Sequence, residues 1–173
     1  MAKGLFVVYT GNGKGKTTAS LGMAVRALGH GYPVTVIQFI KGNAHCGEHN
    51  LSEPFAGLLQ FHVTGKGFTW KSENLEEDIA LARAAWDLAA RTIAEGKVRL
   101  LILDELTYLI RYKMVDEDEI LEAIGKRPDD MDIVVTGRHA SEKMIAAADL
   151  VTEMTEIKHP YSQGIPARKG VDF

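Results

Sequence analysis

The sequence predicts an α/β fold with a mainly parallel central sheet flanked by helices. Two observations carry this. Short, continuous, partly β-branched apolar runs alternate with stretches of helical spacing along the 173-residue chain, the pattern of strands buried on both faces. The first such run passes at once into a glycine-rich turn that opens a helix, and this strand–loop–helix unit is a βαβ beginning. Right-handed crossovers are expected between the parallel strands.

The elements follow in order. Leu5–Tyr9 (LFVVY) reads as a buried strand, and Gly11–Gly15 interrupts it. Lys16–Leu28 has helical spacing, with Gly29 placed to stop it. Val34–Ile40 and Leu58–Val63 read as the next two strands. The stretch Ser72–Ala94 is a long helix, with acids early and arginines late as the helix dipole favours. Arg99–Leu103 is a strand ending in Asp104-Glu105, and Asp116–Ile124 a short acidic helix. Asp132–Thr136 is a strand, Ser141–Ala148 a helix and Leu150–Ile157 a last strand. No linker, repeat or low-complexity tract divides the chain, so residues 1–173 read as a single domain. Residues 158–173 hold Pro160, Gly164, Pro166 and Gly170 and read as an irregular tail, either a lid or a frayed end.

Composition excludes several classes. Hydrophobic residues make up 46% and charged residues 25%, a globular balance. The net charge of −3 gives no basic field for nucleic acid. No apolar run is long enough to span a bilayer, and the N-terminus lacks signal-peptide architecture. Cys46 is the one cysteine, which fits a reducing, cytoplasmic setting.

The loop Gly11-Asn12-Gly13-Lys14-Gly15-Lys16-Thr17-Thr18 follows a strand and opens a helix, the context a phosphate-binding loop requires. Glycines let several backbone N–H groups converge, and the helix N-terminus adds partial positive charge. Lys16 supplies a full charge, and the Thr17 hydroxyl can reach magnesium. The usual spacing places a glycine where this chain has Thr10, so the loop is one residue short. Arg99–Glu105 (RLLILDE) then resembles the acidic strand that holds magnesium in such proteins, through Asp104 and Glu105.

Three segments narrow the choice. Phe68 and Trp70 stand in a glycine-flanked loop, GKGFTW, where large aromatics line a ligand site or anchor a core. Arg138, in VVTGRH, lies at the carboxyl end of a strand, where ligands bind in open α/β sheets. It is a phosphate partner or a solvated turn residue. The third segment is the tail, His159-Pro160-Tyr161 through Lys169-Gly170-Val171.

With TGNGKGKTT, RALGHG, GKGFTW, LDELTYLI, VVTGRHA and KHPY…GIPARKGVDF in this order, the chain resembles the ATP:corrinoid adenosyltransferases over nearly its whole length. The shortened loop belongs to that family's pattern. The resemblance implies a RecA-like P-loop fold, often dimeric, and transfer of the 5′-deoxyadenosyl group of ATP to a reduced Co(I) corrinoid with release of triphosphate. It implies that residues 11–18 hold the triphosphate, with Lys16 foremost. Thr17 and Glu105, with Asp104 nearby, would hold Mg2+. Arg138 would touch phosphate, and Phe68 and Trp70 would pack beneath the corrin. A homodimer and an electron-supplying reductase partner are implied in the same way, with no nucleic acid and no membrane.

Two departures stand out. Family members often carry a covering segment before the first strand, whereas here the strand begins at Leu5, leaving that cover absent or supplied by the tail. The cluster His45-Cys46-Gly47-Glu48-His49 lacks the spacing of a known zinc motif and reads as a polar loop on the substrate side. The alternative to the whole reading is a P-loop ATPase or small-molecule kinase of other specificity, which would share Lys16, Thr17, Asp104 and Glu105 but leave GKGFTW without a purpose.

Overall fold

The structure, a computed structural model, describes residues 3–42, 45–65 and 75–173. Among these, six strands form one sheet: β1 (Phe6–Thr10), β2 (Val34–Gln38), β3 (Leu59–Val63), β4 (Leu100–Asp104), β5 (Asp132–Thr136) and β6 (Leu150–Glu153). The order is β3-β2-β4-β5-β1-β6 and every pairing is parallel. The expectation of a mainly parallel sheet thus sharpens to an all-parallel one. All carboxyl ends meet on one edge. The helices are α1 (Lys16–Gly29), α2 (Leu75–Glu95), α3 (Thr107–Arg111), α4 (Glu117–Gly125) and α5 (Glu142–Ala147).

The period-2 alternation of strand side chains divides the core into two layers. Phe6, Val8, Ile37, Leu101, Leu103, Ile133 and Val135 face α2, α3, α4 and α5. Their neighbours Val7, Val36, Leu100, Ile102 and Val134 face Ala24 and Leu28 of α1, with Phe55 and Leu51 packed alongside. The central strands are buried on both faces, which is why they read as unbroken apolar runs.

Several boundaries move for identifiable reasons. Gly29 is the last helical residue of α1 and not its cap: the His30 N–H donates to the Ala27 carbonyl, the Gly31 N–H to the Leu28 carbonyl, and Gly31 takes the left-handed φ of 72°. The last strand stops at Glu153 instead of Ile157, because the Met154 carbonyl turns to accept the Gly13 N–H at 2.7 Å. Asp116 is the cap of α4, its carboxylate accepting from the N–H groups of Asp118 and Glu119. Ser141 caps α5 likewise. Three short elements carried no periodic signal: α3, and 3-10 turns at Gly47–Ser52 and Pro160–Gln163. The beginning of the long helix expected from Ser72 lies outside the described residues.

One contact joins α2 to α4. Trp86 is fully buried, and its indole N–H donates to Glu119 at 2.7 Å. Arg83, one turn before it, holds the same carboxylate with two nitrogens at 2.7 and 2.6 Å. Trp86→Ala removes a large core side chain and leaves a cavity. It should lower the unfolding free energy by about 3–5 kcal/mol, read from urea melts. A loss below about 1 kcal/mol would contradict this packing.

Candidate active site

The carboxyl edge of the sheet gathers the loop after β1 and the ends of β2, β4 and β5. The loop is short because its expected first position, Thr10, is a strand residue: it pairs with Glu153, and its hydroxyl accepts the Ala140 N–H at 3.1 Å. The glycines then act in two ways. Gly11 and Gly15 have φ of 94° and 114°, where a side chain is strained. Gly13 is required by proximity instead, since a Cβ there would sit 2.7 Å from the Met154 carbonyl oxygen.

Gly15 is the N-cap of α1 and has no side chain to offer, so the first N–H groups of the helix, at Lys16, Thr17 and Thr18, lack a side-chain cap. These donors, with the helix dipole, form an anion-binding concavity. Asn12, Lys14 and Thr18 are exposed around it. Lys16 is buried and folds back, donating to the carbonyls of Gly11 at 2.8 Å and Gly13 at 2.7 Å. Burial holds its pKa below the usual lysine range, opposed by Glu105 and Asp104 and reinforced by the Arg138 charge.

Asp104, at the end of β4, is fully buried. Its Oδ1 accepts the Thr17 hydroxyl at 2.8 Å and the Thr136 hydroxyl at 2.7 Å. Its Oδ2 accepts from the Gln38 side-chain amide at 3.2 Å, with the Lys41 ammonium 3.8 Å away. Glu105, the next residue, is arranged differently. It has φ of 64°, and its N–H donates to the Thr136 hydroxyl at 2.9 Å. Its Oε2 is buried and has no hydrogen-bond partner among the described residues. Burial first, and then the Asp104 charge, push its pKa up against the pull of Lys16, Lys41 and Arg138.

Arg138 is exposed at the end of β5, close enough to influence both Lys16 and Glu105. Its backbone is fixed by Thr107, whose hydroxyl donates to the Arg138 carbonyl at 2.8 Å. The preceding Gly137 has φ of 143°, and a Cβ there would lie 2.0 Å from the same hydroxyl oxygen. The tail reaches the loop as well: Asp172 forms an ion pair with Lys14 and accepts the Arg168 N–H at 2.8 Å.

The cluster at 45–49 closes the β2 side. Cys46, Glu48 and His49 present their ligand atoms within 4.8 Å of one another. Two of the three are already engaged. Glu48 pairs with Lys41 at 3.4 Å, and both His49 ring nitrogens have partners. Burial works against the charge of Lys41, but Asp104 and Glu48 outweigh it and raise its pKa.

The structure thus brings together residues 11–18, Asp104, Glu105 and Arg138. Phe68 and Trp70 lie outside the described residues. Sequence reasoning passed over Gln38, Lys41 and Thr136, and named His49 only as part of a polar loop on the substrate side. Gln38 carried a signal, as a polar residue inside the apolar run VTVIQFI. A separate cavity of about 420 Å3, between α2 and the β2–β3 edge, opens at the amino end of the sheet and contains none of these groups. No helix among the described residues is long and apolar enough to cross a membrane.

A model of the family described as ATP:corrinoid adenosyltransferase BtuR/CobO/CobP matches residues 2–173. The corrinoid adenosyltransferase of Pseudomonas aeruginosa is 46% identical over 171 residues, 99% of this chain and 84% of that one. The corrinoid adenosyltransferase of Escherichia coli is 42% identical, covering 99% and 86%. The corrinoid adenosyltransferase CobA of Salmonella typhimurium is 41% identical with the same coverage. Among solved structures, the flagellar accessory protein FlaH of Methanocaldococcus jannaschii superposes with a TM-score of 0.63 over 88% of this chain and 72% of that one, at 14% identity. That likeness concerns the fold alone, which is the RecA-like P-loop α/β fold. The chain belongs to the ATP:corrinoid adenosyltransferase family.

The Glu105 carboxylate, with its Oε2 buried and unpartnered among the described residues, generates a stability prediction. A carboxyl group whose pKa is raised by folding destabilises the protein wherever it is ionised, and the penalty fades as pH falls through that raised value toward the unfolded one. Glu105→Gln should therefore raise the melting temperature of the ligand-free protein at neutral pH by a few degrees, about 2–4 °C per kcal/mol in a chain of this size. The gain should vanish in acid. Equal melting temperatures at neutral pH would contradict the burial of a charge that its neighbours only partly compensate.

Proposed function

We propose that the chain transfers the 5′-deoxyadenosyl group of ATP to the Co(I) of a reduced corrinoid and releases triphosphate. The observation that carries this is the family match over residues 2–173, which includes the shortened phosphate loop. In the reaction the cobalt electron pair forms a bond to carbon 5′ of ATP. The bond from carbon 5′ to the bridging oxygen breaks, and triphosphate leaves with its electron pair. Co(I) is itself a strong nucleophile, so no protein base is required.

The protein then has two tasks, placement and stabilisation of the leaving group. The N–H groups at the start of α1 and the Lys16 ammonium hold the triphosphate. Two of the three Lys16 hydrogens go to Gly11 and Gly13, which aims the third across the loop. Arg138, exposed at the mouth, adds a charge to the phosphate chain.

The donors also fit a hard divalent cation with oxygen ligands. The buried, unpartnered Oε2 of Glu105 and the Thr17 oxygen beside Asp104 would hold Mg2+. That ion would neutralise charge on the triphosphate oxygens. Asp104 acts mainly by orienting the Thr17 hydroxyl, since its own oxygens are occupied. From the sequence, Phe68 and Trp70 provide the apolar floor beneath the corrin and exclude its lower axial ligand. The reading includes an electron-supplying reductase, a homodimer and a cytoplasmic setting. A sedimentation mass of a single 19.0 kDa chain would remove the dimer.

The test is direct. Protein incubated with ATP, Mg2+ and chemically reduced cobinamide should yield the adenosylated absorption spectrum and one triphosphate per corrinoid. ADP as the product would indicate a kinase or ATPase instead. Lys16→Ala should lower the rate by about 10²–10³-fold, the effect of losing one strong donor to a developing anion. Near-normal turnover would remove the loop from the chemistry. Trp70→Ala should impair corrinoid use while leaving ATP affinity within about threefold, a change under 1 kcal/mol. An equal loss of both would make Trp70 a structural residue.

A further inference from the structure

The loop after β2 contains a hydrogen-bond chain with a fixed direction. His49 Nδ1 faces the Cys46 backbone N–H at 3.3 Å, so this nitrogen must accept. The ring proton is therefore on Nε2, which donates to Gln38 Oε1 at 2.7 Å. With its oxygen so engaged, Gln38 turns its NH2 group to Asp104 Oδ2 at 3.2 Å. The imidazole plane is held as well, edge-on to Phe61 with ring centroids 5.2 Å apart at 65°.

This direction matters because a side-chain amide has two ends. Reversed, Gln38 would place its carbonyl oxygen against the buried Asp104 carboxylate, two acceptors with no hydrogen between them. Neutral His49, as the Nε2–H tautomer, forbids the reversal. Asp104 Oδ1 meanwhile carries the hydroxyls of Thr17 and Thr136. The carboxylate is thus oriented from both sides, and only one side belongs to the phosphate loop and β5. The same contacts explain why Cys46, Glu48 and His49 do not form an open metal centre despite their proximity.

We infer that His49 is a positioning residue of the phosphate site, acting through Gln38 to fix the orientation of the Asp104 carboxylate and, with it, the Thr17 hydroxyl. The link to magnesium rests on the function proposed above. The chain itself stands on geometry in the ligand-free protein.

The test separates the two. In ligand-free protein, nitrogen NMR of the His49 ring should show a neutral imidazole with its proton on Nε2. In urea melts, His49→Leu should cost less in a Gln38→Leu background than alone, because the two residues act as one unit. A proton on Nδ1, or additive losses, would overturn the chain. For the link, the Mg2+ concentration that half-saturates ATP binding should rise in His49→Leu by about threefold to tenfold, less than the roughly 10–100-fold for losing a direct partner of a metal ligand, because His49 acts through Gln38 and Asp104. ATP binding without Mg2+ should stay unchanged. His49→Gln places an amide donor where Nε2 was and should restore most of the Mg2+ affinity. An unchanged Mg2+ requirement in His49→Leu, or failure of His49→Gln to recover it, would overturn the positioning role. If the wild-type protein showed no Mg2+-dependent ATP binding, the function reading would fall, and the NMR and melting results would still decide the chain.

Discussion

The arrangement of this site depends on a single buried anion. Asp104 is fully inaccessible, and an isolated carboxylate in such surroundings costs several kcal/mol unless hydrogen bonds and charges compensate. The compensation comes from Thr17 on α1, Thr136 on β5 and Gln38 on β2, with Lys41 nearby. Satisfying one carboxylate therefore ties the start of the phosphate-loop helix to three strands. The loop inherits its position from that bond to Thr17, and from Gly13 held by the Met154 carbonyl.

Glu105 shows the opposite solution one residue later. Its backbone is left-handed, and one side-chain oxygen is buried with no hydrogen-bond partner among the described residues. Strained, unsatisfied groups persist where function requires them. The adjacent acids divide the work: one anchors the hydroxyl of Thr17, and the other is available to a ligand. A triphosphate with a divalent cation would relieve the penalty that Glu105 imposes on the empty protein, so binding and local stability are linked.

Much of this was legible in the sequence, for physical reasons. Short, β-branched apolar runs bounded by glycine and turn residues fit strands buried on both faces, so β1, β2, β4 and β5 were readable within two residues. The GKGKTT turn announced the cradle because few other contexts need glycines, a lysine and a hydroxyl between a strand and a helix. Ends set by tertiary contacts were not legible. β6 stops where Met154 turns to Gly13, and α1 passes through Gly29 because the left-handed residue is Gly31. The roles of Gln38, Lys41 and His49 were also hidden. They depend on β2 lying beside β4, a neighbour relation that no local pattern encodes. Gln38 gave a hint as a polar break in an apolar strand, and His49 as part of a polar cluster on the substrate side.

Taken together, the geometry suits a cradle that holds a departing triphosphate, with carbon 5′ of ATP as the reacting atom. A kinase and this enzyme would grip the same phosphates but break different bonds. The decisive measurement uses ATP carrying heavy oxygen at the position bridging carbon 5′ and the α-phosphorus, reacted with reduced cobinamide. Mass spectrometry of the released phosphates should find the label in triphosphate, because the carbon–oxygen bond breaks. Label retained on the nucleoside product would place the cleavage at phosphorus and contradict the account.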